Sequence, residues 1–189
     1  GNITGTSDLS PIDKQLELGK SILPDAKKVG ILYNTSELNS QLQVSIAKDA
    51  AKSLAMTVVE IPVTNTSEFE PALNAKIKEI DFLFLPTDNL VASNMPIISK
   101  IAMNNNMVII ATEQGMVEGG ALACEGLNYY KLGHQTGIMA AEILEGKAIK
   151  DIPVSMLEET ELIINENVAK KLGISLPEEM LNRAIMVKG

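Results

Sequence analysis

Three short polar stretches have the residue types to grip a small molecule together. Asn34-Thr35-Ser36-Glu37-Leu38-Asn39-Ser40 follows the apolar run 29–33, Thr87-Asp88-Asn89 follows the run 81–85 and Pro86, and Glu113-Gln114-Gly115 follows the run 107–112. They offer amides, hydroxyls and carboxylates, of which Asp88 and Glu113 are the expected ligand contacts. Amides, hydroxyls and the free N–H groups of a helix start would take a carboxylate. Asp88 or Glu113 would take an ammonium. That pairing suits a zwitterion. The expected contacts are Asn34, Ser36, Asn39, Thr87, Asp88, Asn89, Glu113 and Gln114. Asn, Ser, Thr and Asp are also the ordinary caps of helices, so one such loop alone carries little weight. Three on one edge carry more.

The surrounding elements decide whether these loops meet. Strand-like and helix-like segments alternate with little between them, the pattern of a parallel sheet covered by helices on both faces. The expected fold class is α/β, a three-layer α/β/α arrangement about a parallel sheet. Ligands of such sheets bind beyond the carboxyl ends of the strands, where each strand feeds a helix N-terminus. Strand candidates are residues 29–33, 57–63, 81–85, 107–112, 121–124, 152–156 and 162–164. Ser10 reads as the N-cap of a first helix, with Pro11 at its first position. Residues 39–54 form the next helix, with Leu42, Ile46, Ala47, Ala50 and Leu54 as its apolar stripe. Thr66 or Ser67 caps a helix carrying Phe69, Leu73, Ile77 and Ile80. The helix opened by Thr87-Asp88-Asn89 must be interrupted near Pro96. Residues 113–120 read as a polar, glycine-containing loop. Residues 129–146 read as a long helix in which Gly133, Gly137 and Ala140 make a small-residue stripe for close packing. Gly173 stops a helix at 168–172, and Pro177 begins a short last one.

The 189 residues suffice for one α/β domain, or for one lobe plus pieces of a second. Hydrophobic residues make up 46% but aromatics only 3%, so Ile, Leu, Val, Ala and Met must build the core. A formal net charge of -8 argues against nucleic acid and against an anionic membrane surface as partners. The lone Cys124 excludes an internal disulfide, and its apolar neighbours make it a buried structural thiol. One His and one Cys supply a transition-metal site poorly, and none is expected. No apolar run is long enough to span a membrane. No leader precedes Gly1, so any targeting segment is expected to have been removed.

The chain has no G-x-G-x-x-G after a strand, no G-K-[ST] phosphate loop and no G-x-S-x-G elbow. Its single histidine, His134, lies inside the helix beginning at Tyr129, with no nucleophile placed beside it. Neither catalysis nor a cofactor is expected. Asn2, Asn34 and Asn65 open N-x-[ST] triplets, two of them at expected helix caps.

Several stretches are similar to ABC transporter substrate-binding proteins of the tryptophan/tyrosine-associated type. They are Asn2-Ile3-Thr4-Gly5-Thr6-Ser7-Asp8, Val29-Gly30-Ile31-Leu32-Tyr33-Asn34, Leu85-Pro86-Thr87-Asp88-Asn89, Glu113-Gln114-Gly115-Met116-Val117-Glu118-Gly119-Gly120-Ala121-Leu122-Ala123 and Asn128-Tyr129-Tyr130-Lys131-Leu132-Gly133. The ending, with Ile163-Ile164-Asn165 and Lys171-Leu172-Gly173-Ile174-Ser175-Leu176-Pro177-Glu178-Glu179, is similar too. Their order and spacing carry the resemblance. It implies a flavodoxin-like lobe of a type I periplasmic binding protein, a receptor that closes over its ligand by a hinge. It also implies export, often as a lipoprotein, delivery to an ABC permease, and amino-acid ligands that are often aromatic. Asn128, near the implied hinge, joins the expected ligand contacts, and Tyr33 or Tyr129 could stack on a ligand.

The resemblance also implies departures. Family members begin with a further α/β lobe of roughly 100 residues, and this chain is expected to start where that lobe ends. One ligand-binding domain is then expected, with residues 9–112 and 150–189 as its core and 113–149 partly returning to the missing lobe. The Gly133/Gly137 face is expected to pack back on its own sheet or against a second copy, giving a homodimer. The family commonly has an acid where Asn128 stands and often Arg where His134 stands. Two alternatives stay open: the ligand-sensing domain of a transcriptional regulator, and an enzyme of flavodoxin-like or racemase kind, of which a two-cysteine racemase is excluded.

Overall fold

The computed structural model describes residues 1–157 and 159–188. Its elements, in chain order, are β1 (Thr6–Ser7), α1 (Ile12–Ile22), β2 (Lys28–Asn34), α2 (Leu38–Ser53), β3 (Thr57–Val63), α3 (Phe69–Lys76), β4 (Phe82–Phe84), α4 (Asn89–Ser93), α5 (Met95–Asn104), β5 (Val108–Ile110), α6 (Gln114–Glu118), β6 (Ala123–Gly126), α7 (Tyr129–Leu144), β7 (Ser155–Met156), β8 (Glu161–Asn165), α8 (Glu166–Leu172), α9 (Glu178–Arg183) and β9 (Ile185–Val187).

Seven strands form the main sheet in the order β3-β2-β4-β5-β6-β8-β9. Neighbours are parallel except β6 and β8, which run antiparallel. Alternation along each strand divides the buried side chains between two faces. Phe82 and Phe84 of β4 pack with α1, α2, α8 and α9, whereas Leu83 and Leu85 pack with α3, α4, α5 and α6. The expected three-layer α/β/α class is what forms, as a mainly parallel sheet. α1 lies so close to β4 that a Cβ on Gly19 would meet the Phe82 ring at 2.6 Å. Gly173 ends α8 at φ 65, the left-handed conformation that favours glycine.

Several local expectations are corrected. Ser10 does not cap α1; Pro11 holds that position, and the Ser10 hydroxyl instead accepts from the buried Gln15. The N-terminal half of α2 buries Ser40, Gln43 and Val44 and leaves Leu42 exposed, because polar partners on the next loop outcompete an apolar contact there. Asn65, not Thr66 or Ser67, caps the turn before α3. Residues 114–118 are helical rather than a loop, with Met116 and Val117 buried. The strand expected at 121–124 sits later, at Ala123–Gly126, and the one expected at 152–156 shrinks to Ser155–Met156. β9 had no signal beyond three apolar residues at the chain's end.

β6 lies inside the main sheet and α6 packs beneath it. What stands apart is α7 together with the two-stranded parallel pair β1–β7. Thr6 Oγ1 and Thr136 Oγ1 share a hydrogen bond of 2.6 Å, and Gln135 bonds Ser155. The Gly133/Gly137 face of α7 does not pack back on the sheet, since an added Cβ at either position would meet nothing within 4 Å. Glycine inside a helix costs about 0.5–1 kcal/mol relative to alanine. Gly137→Ala should therefore stabilise the isolated chain by about that amount in urea unfolding. A destabilisation, growing with protein concentration, would instead reveal a second copy on that face.

Candidate ligand-binding site

Parallel pairing brings the carboxyl ends of β2, β4, β5 and β6 to one edge. The loops singled out in sequence lie along it, and direct bonds join the first two. The Asp88 carboxylate is 1% exposed. One oxygen accepts from the Asn34 N–H at 2.7 Å and the Ser40 hydroxyl at 2.8 Å; the other accepts from the Val91 N–H at 3.0 Å, capping α4. Asn39 donates its amide to the Thr87 carbonyl at 2.8 Å, and Gln43 accepts from the Thr87 N–H at 3.0 Å. Thr87 Oγ1 then reaches Thr112 Oγ1 at 3.1 Å, linking this loop to the end of β5.

Glu37 was not singled out in sequence, yet it closes the same ring. Its carboxylate accepts from the Asn89 N–H and side-chain amide, both at 3.1 Å, and from the Leu90 N–H and the Asn34 amide, both at 3.3 Å. Burial pushes its carboxyl up, but those donors outweigh it and hold the group below the usual Glu range. The start of α4, one of the helix N-termini on this edge, is thus already filled by two of the protein's own carboxylates. Asn34 is likewise engaged: its side-chain oxygen accepts from the Ser36 N–H at 2.9 Å. Ser36 and Asn39 are exposed on the rim.

Glu113 differs. It is only partly buried, and among the described residues no hydrogen bond or ion pair reaches its carboxylate. Burial first, and then the charge of Asp8, push its carboxyl above the ordinary Glu value of 4.5. Burial, Glu113 and Asp8 raise the Tyr129 phenol in turn. Glu113 and Tyr129 line one corner of the rim, within electrostatic reach of the exposed Asp8. A cavity of about 370 Å³ opens there, lined by Glu113, Gln114, Gly115, Leu127, Asn128, Tyr129, Tyr130, Glu161 and Ile163. Asn128 caps α7 through the Lys131 N–H at 3.0 Å and donates its amide to Glu161 at 2.9 Å. Gln114 is exposed and bonds Glu118 at 2.7 Å. Of the two carboxylates lining it, Glu161 is engaged by Asn128, so Glu113 is the one suited to a cationic group, and the first N–H groups of α7 suit an anionic one.

A larger cavity, about 550 Å³, lies between α1 and α9. Its buried carboxylate, Glu125, is already paired with Arg183 and Thr160, so the smaller cavity offers the freer chemistry. Tyr33 is not available to stack. It is buried away from that corner, its hydroxyl donates to Glu60 at 2.9 Å, and burial and Glu60 push it up to about 12. Cys124 is fully buried, as expected, and its thiol is pushed up by burial. Among the described residues no group of His, Cys, Asp and Glu is arranged to hold a metal, and no helix is long and apolar enough to cross a membrane.

The family described as ABC transporter substrate binding protein matches residues 1–188. The chain belongs to that family. A tyrosine-binding protein of Clostridioides difficile (strain R20291) is 52% identical over 174 residues, which are 92% of this chain and 50% of that protein. The ligand-free, open structure of a C. difficile substrate-binding protein with adhesive properties is 46% identical, with a TM-score of 0.84 over 98% of this chain and 62% of that one. An ABC domain from Streptococcus pneumonia in complex with L-Trp is 34% identical, with a TM-score of 0.87 over 99% of this chain and 65% of that one. The chain thus spans half the length of that curated relative and under two thirds of these solved chains.

Two substitutions separate the rim's frame from its open corner. Asp88→Ala strands two buried N–H groups and a hydroxyl, and should cost about 2–4 kcal/mol in urea unfolding. An unchanged midpoint would mean Asp88 has no structural duty. Glu113 behaves oppositely. A carboxyl held above its unfolded value binds its proton more tightly when folded, so its contribution is best below that value and worsens as pH rises through the folded one. Glu113→Gln should therefore raise the melting temperature at neutral pH, with the gain vanishing as pH falls through 4.5, the ordinary Glu value. A loss of stability at neutral pH would contradict this.

Proposed function

We propose that this chain supplies one wall of the ligand cleft in the solute receptor of an ABC importer, and that its ligand is an aromatic amino acid. The observation that carries the proposal is the Glu113 carboxylate, without a hydrogen-bond or ion-pair partner among the described residues, lining a cavity with Tyr129 at the strand ends of a chain in this family. Glu113 takes the ligand ammonium, within electrostatic reach of Asp8. The opening N–H groups of α7, at Tyr129 and Tyr130, take its carboxylate. Tyr129, half exposed at the cavity, packs on the aromatic ring. Ser36, Asn39, Gln114 and Asn128 line the approach, whereas Asn34, Thr87, Asp88, Asn89 and Glu37 hold the loops that frame it. The tyrosine named for one relative and the L-Trp bound to another support the aromatic class.

The receptor performs no chemistry and needs no cofactor; it works outside the cytoplasm and hands its ligand to a membrane permease. A site built from one wall buries a ligand on one side only, so binding by this chain alone is weaker than by a complete cleft. Calorimetric titration of the full-length protein should show binding of L-Tyr or L-Trp, no binding of arabinose or glucose, and a loss of about tenfold or more in Glu113→Gln, the scale of one charge-assisted hydrogen bond. Equal affinity for sugars, or undiminished binding by Glu113→Gln, would overturn this assignment.

A further inference from the structure

The chain passes three times between the main sheet and the unit formed by β1, β7 and α7: between Ser7 and Ile12, between Gly126 and Tyr129, and between Met156 and Glu161. The first and third passages are hydrogen-bonded to the buried pair Gln15 and Glu125, and the second follows Glu125 directly in the chain. Gln15 is fully buried. Its amide donates to the Ser10 hydroxyl at 3.0 Å and the Glu125 carbonyl at 2.8 Å, and its oxygen accepts from the Glu125 N–H at 2.9 Å. Ser10 belongs to the first passage, and Glu125 stands one residue before the second begins at Gly126. Thr160, in the third, donates its hydroxyl to the Glu125 carboxylate at 2.8 Å. The other carboxylate oxygen accepts from Arg183 of α9 at 2.6 Å.

The backbone explains why Gln15 is needed. β5 and β6 share a single residue pair, Ile110 with Ala123. Glu125 therefore extends past the end of β5, and its N–H and C=O on that side have no strand neighbour. Gln15 supplies both partners, as a strand would. The Glu125 side chain is 7% exposed, so water cannot readily replace a lost donor.

We propose that Gln15 and Glu125 form a hinge node, and that α9, acting through Arg183, sets the orientation between the main sheet and the β1–β7–α7 unit. These are positioning residues; the candidate ligand cavity lies elsewhere. The node concerns the chain without ligand and stands whether or not an amino acid binds.

The test uses the 189-residue chain with spin labels at Lys52→Cys on α2 and Leu144→Cys on α7, both exposed. Cys124 is buried and stays unlabelled. Pulsed electron resonance without ligand reads the distance distribution. Arg183→Met should raise the population of a second orientation about tenfold, the scale of one lost charge-assisted bond. Thr160→Val should broaden the distribution in the same sense, and Arg183→Lys should restore much of the parent's. Ile98→Val, a core change on the sheet's opposite face, should lower the melting temperature yet leave the distribution unchanged. Distributions for Arg183→Met and Thr160→Val that superimpose on the parent's would overturn the proposal. Equal broadening by Ile98→Val would do the same. Should Arg183→Met fail to fold, Thr160→Val decides alone.

Discussion

A carboxylate taken out of water must find donors for both of its oxygens, and Asp88 finds them on three elements at once. Its bonds to the Asn34 N–H, the Ser40 hydroxyl and the Val91 N–H join the end of β2, the start of α2 and the start of α4. Glu37 adds a second carboxylate to the same junction through Asn34, Asn89 and Leu90. The two loops cannot move apart without stranding a charge. They act as one rigid shelf, and the partial positive charge at the start of α4 is spent on the protein itself.

That shelf displaces the free chemistry to its neighbour. Beyond Thr112, the chain presents Glu113 with no donor among the described residues, lining one cavity with Tyr129. Glu125 shows the contrast. It is more deeply buried than Glu113, but Arg183 and Thr160 satisfy it, so its charge serves architecture. Burial alone does not separate site from scaffold; the presence or absence of partners does.

The sequence was informative where local chemistry decided the outcome. Apolar runs placed β2, β3, β4 and β5, Gly173 marked a helix end, and the polar loops fell on the expected edge. It was less informative where distant residues decided. Asp88 reads equally as cap and as ligand contact until Asn34 and Ser40 are seen closing on it. Glu37 is one acid among many until Asn89 is found 52 residues away across the rim. Asp8 lies far from Glu113 in the chain, and only the fold brings them within electrostatic reach. Ser40 and Gln43 defeat the apolar periodicity of α2 because their partners sit on the Thr87 loop. β8 reverses direction relative to β6, which a pattern of alternating strands and helices does not foretell.

The central claim is that the ligand is held at the Glu113 corner and that the Asp88 shelf only frames it. Amide hydrogen exchange on the full-length protein, with and without saturating L-Trp, tests this most directly. Slowed exchange should concentrate at Gln114 and Gly115 and at Asn128 to Tyr130, with the already bonded amides of Asn34 and Val91 unchanged. Protection confined to the cleft between α1 and α9, with the Glu113 corner unaffected, would contradict the account.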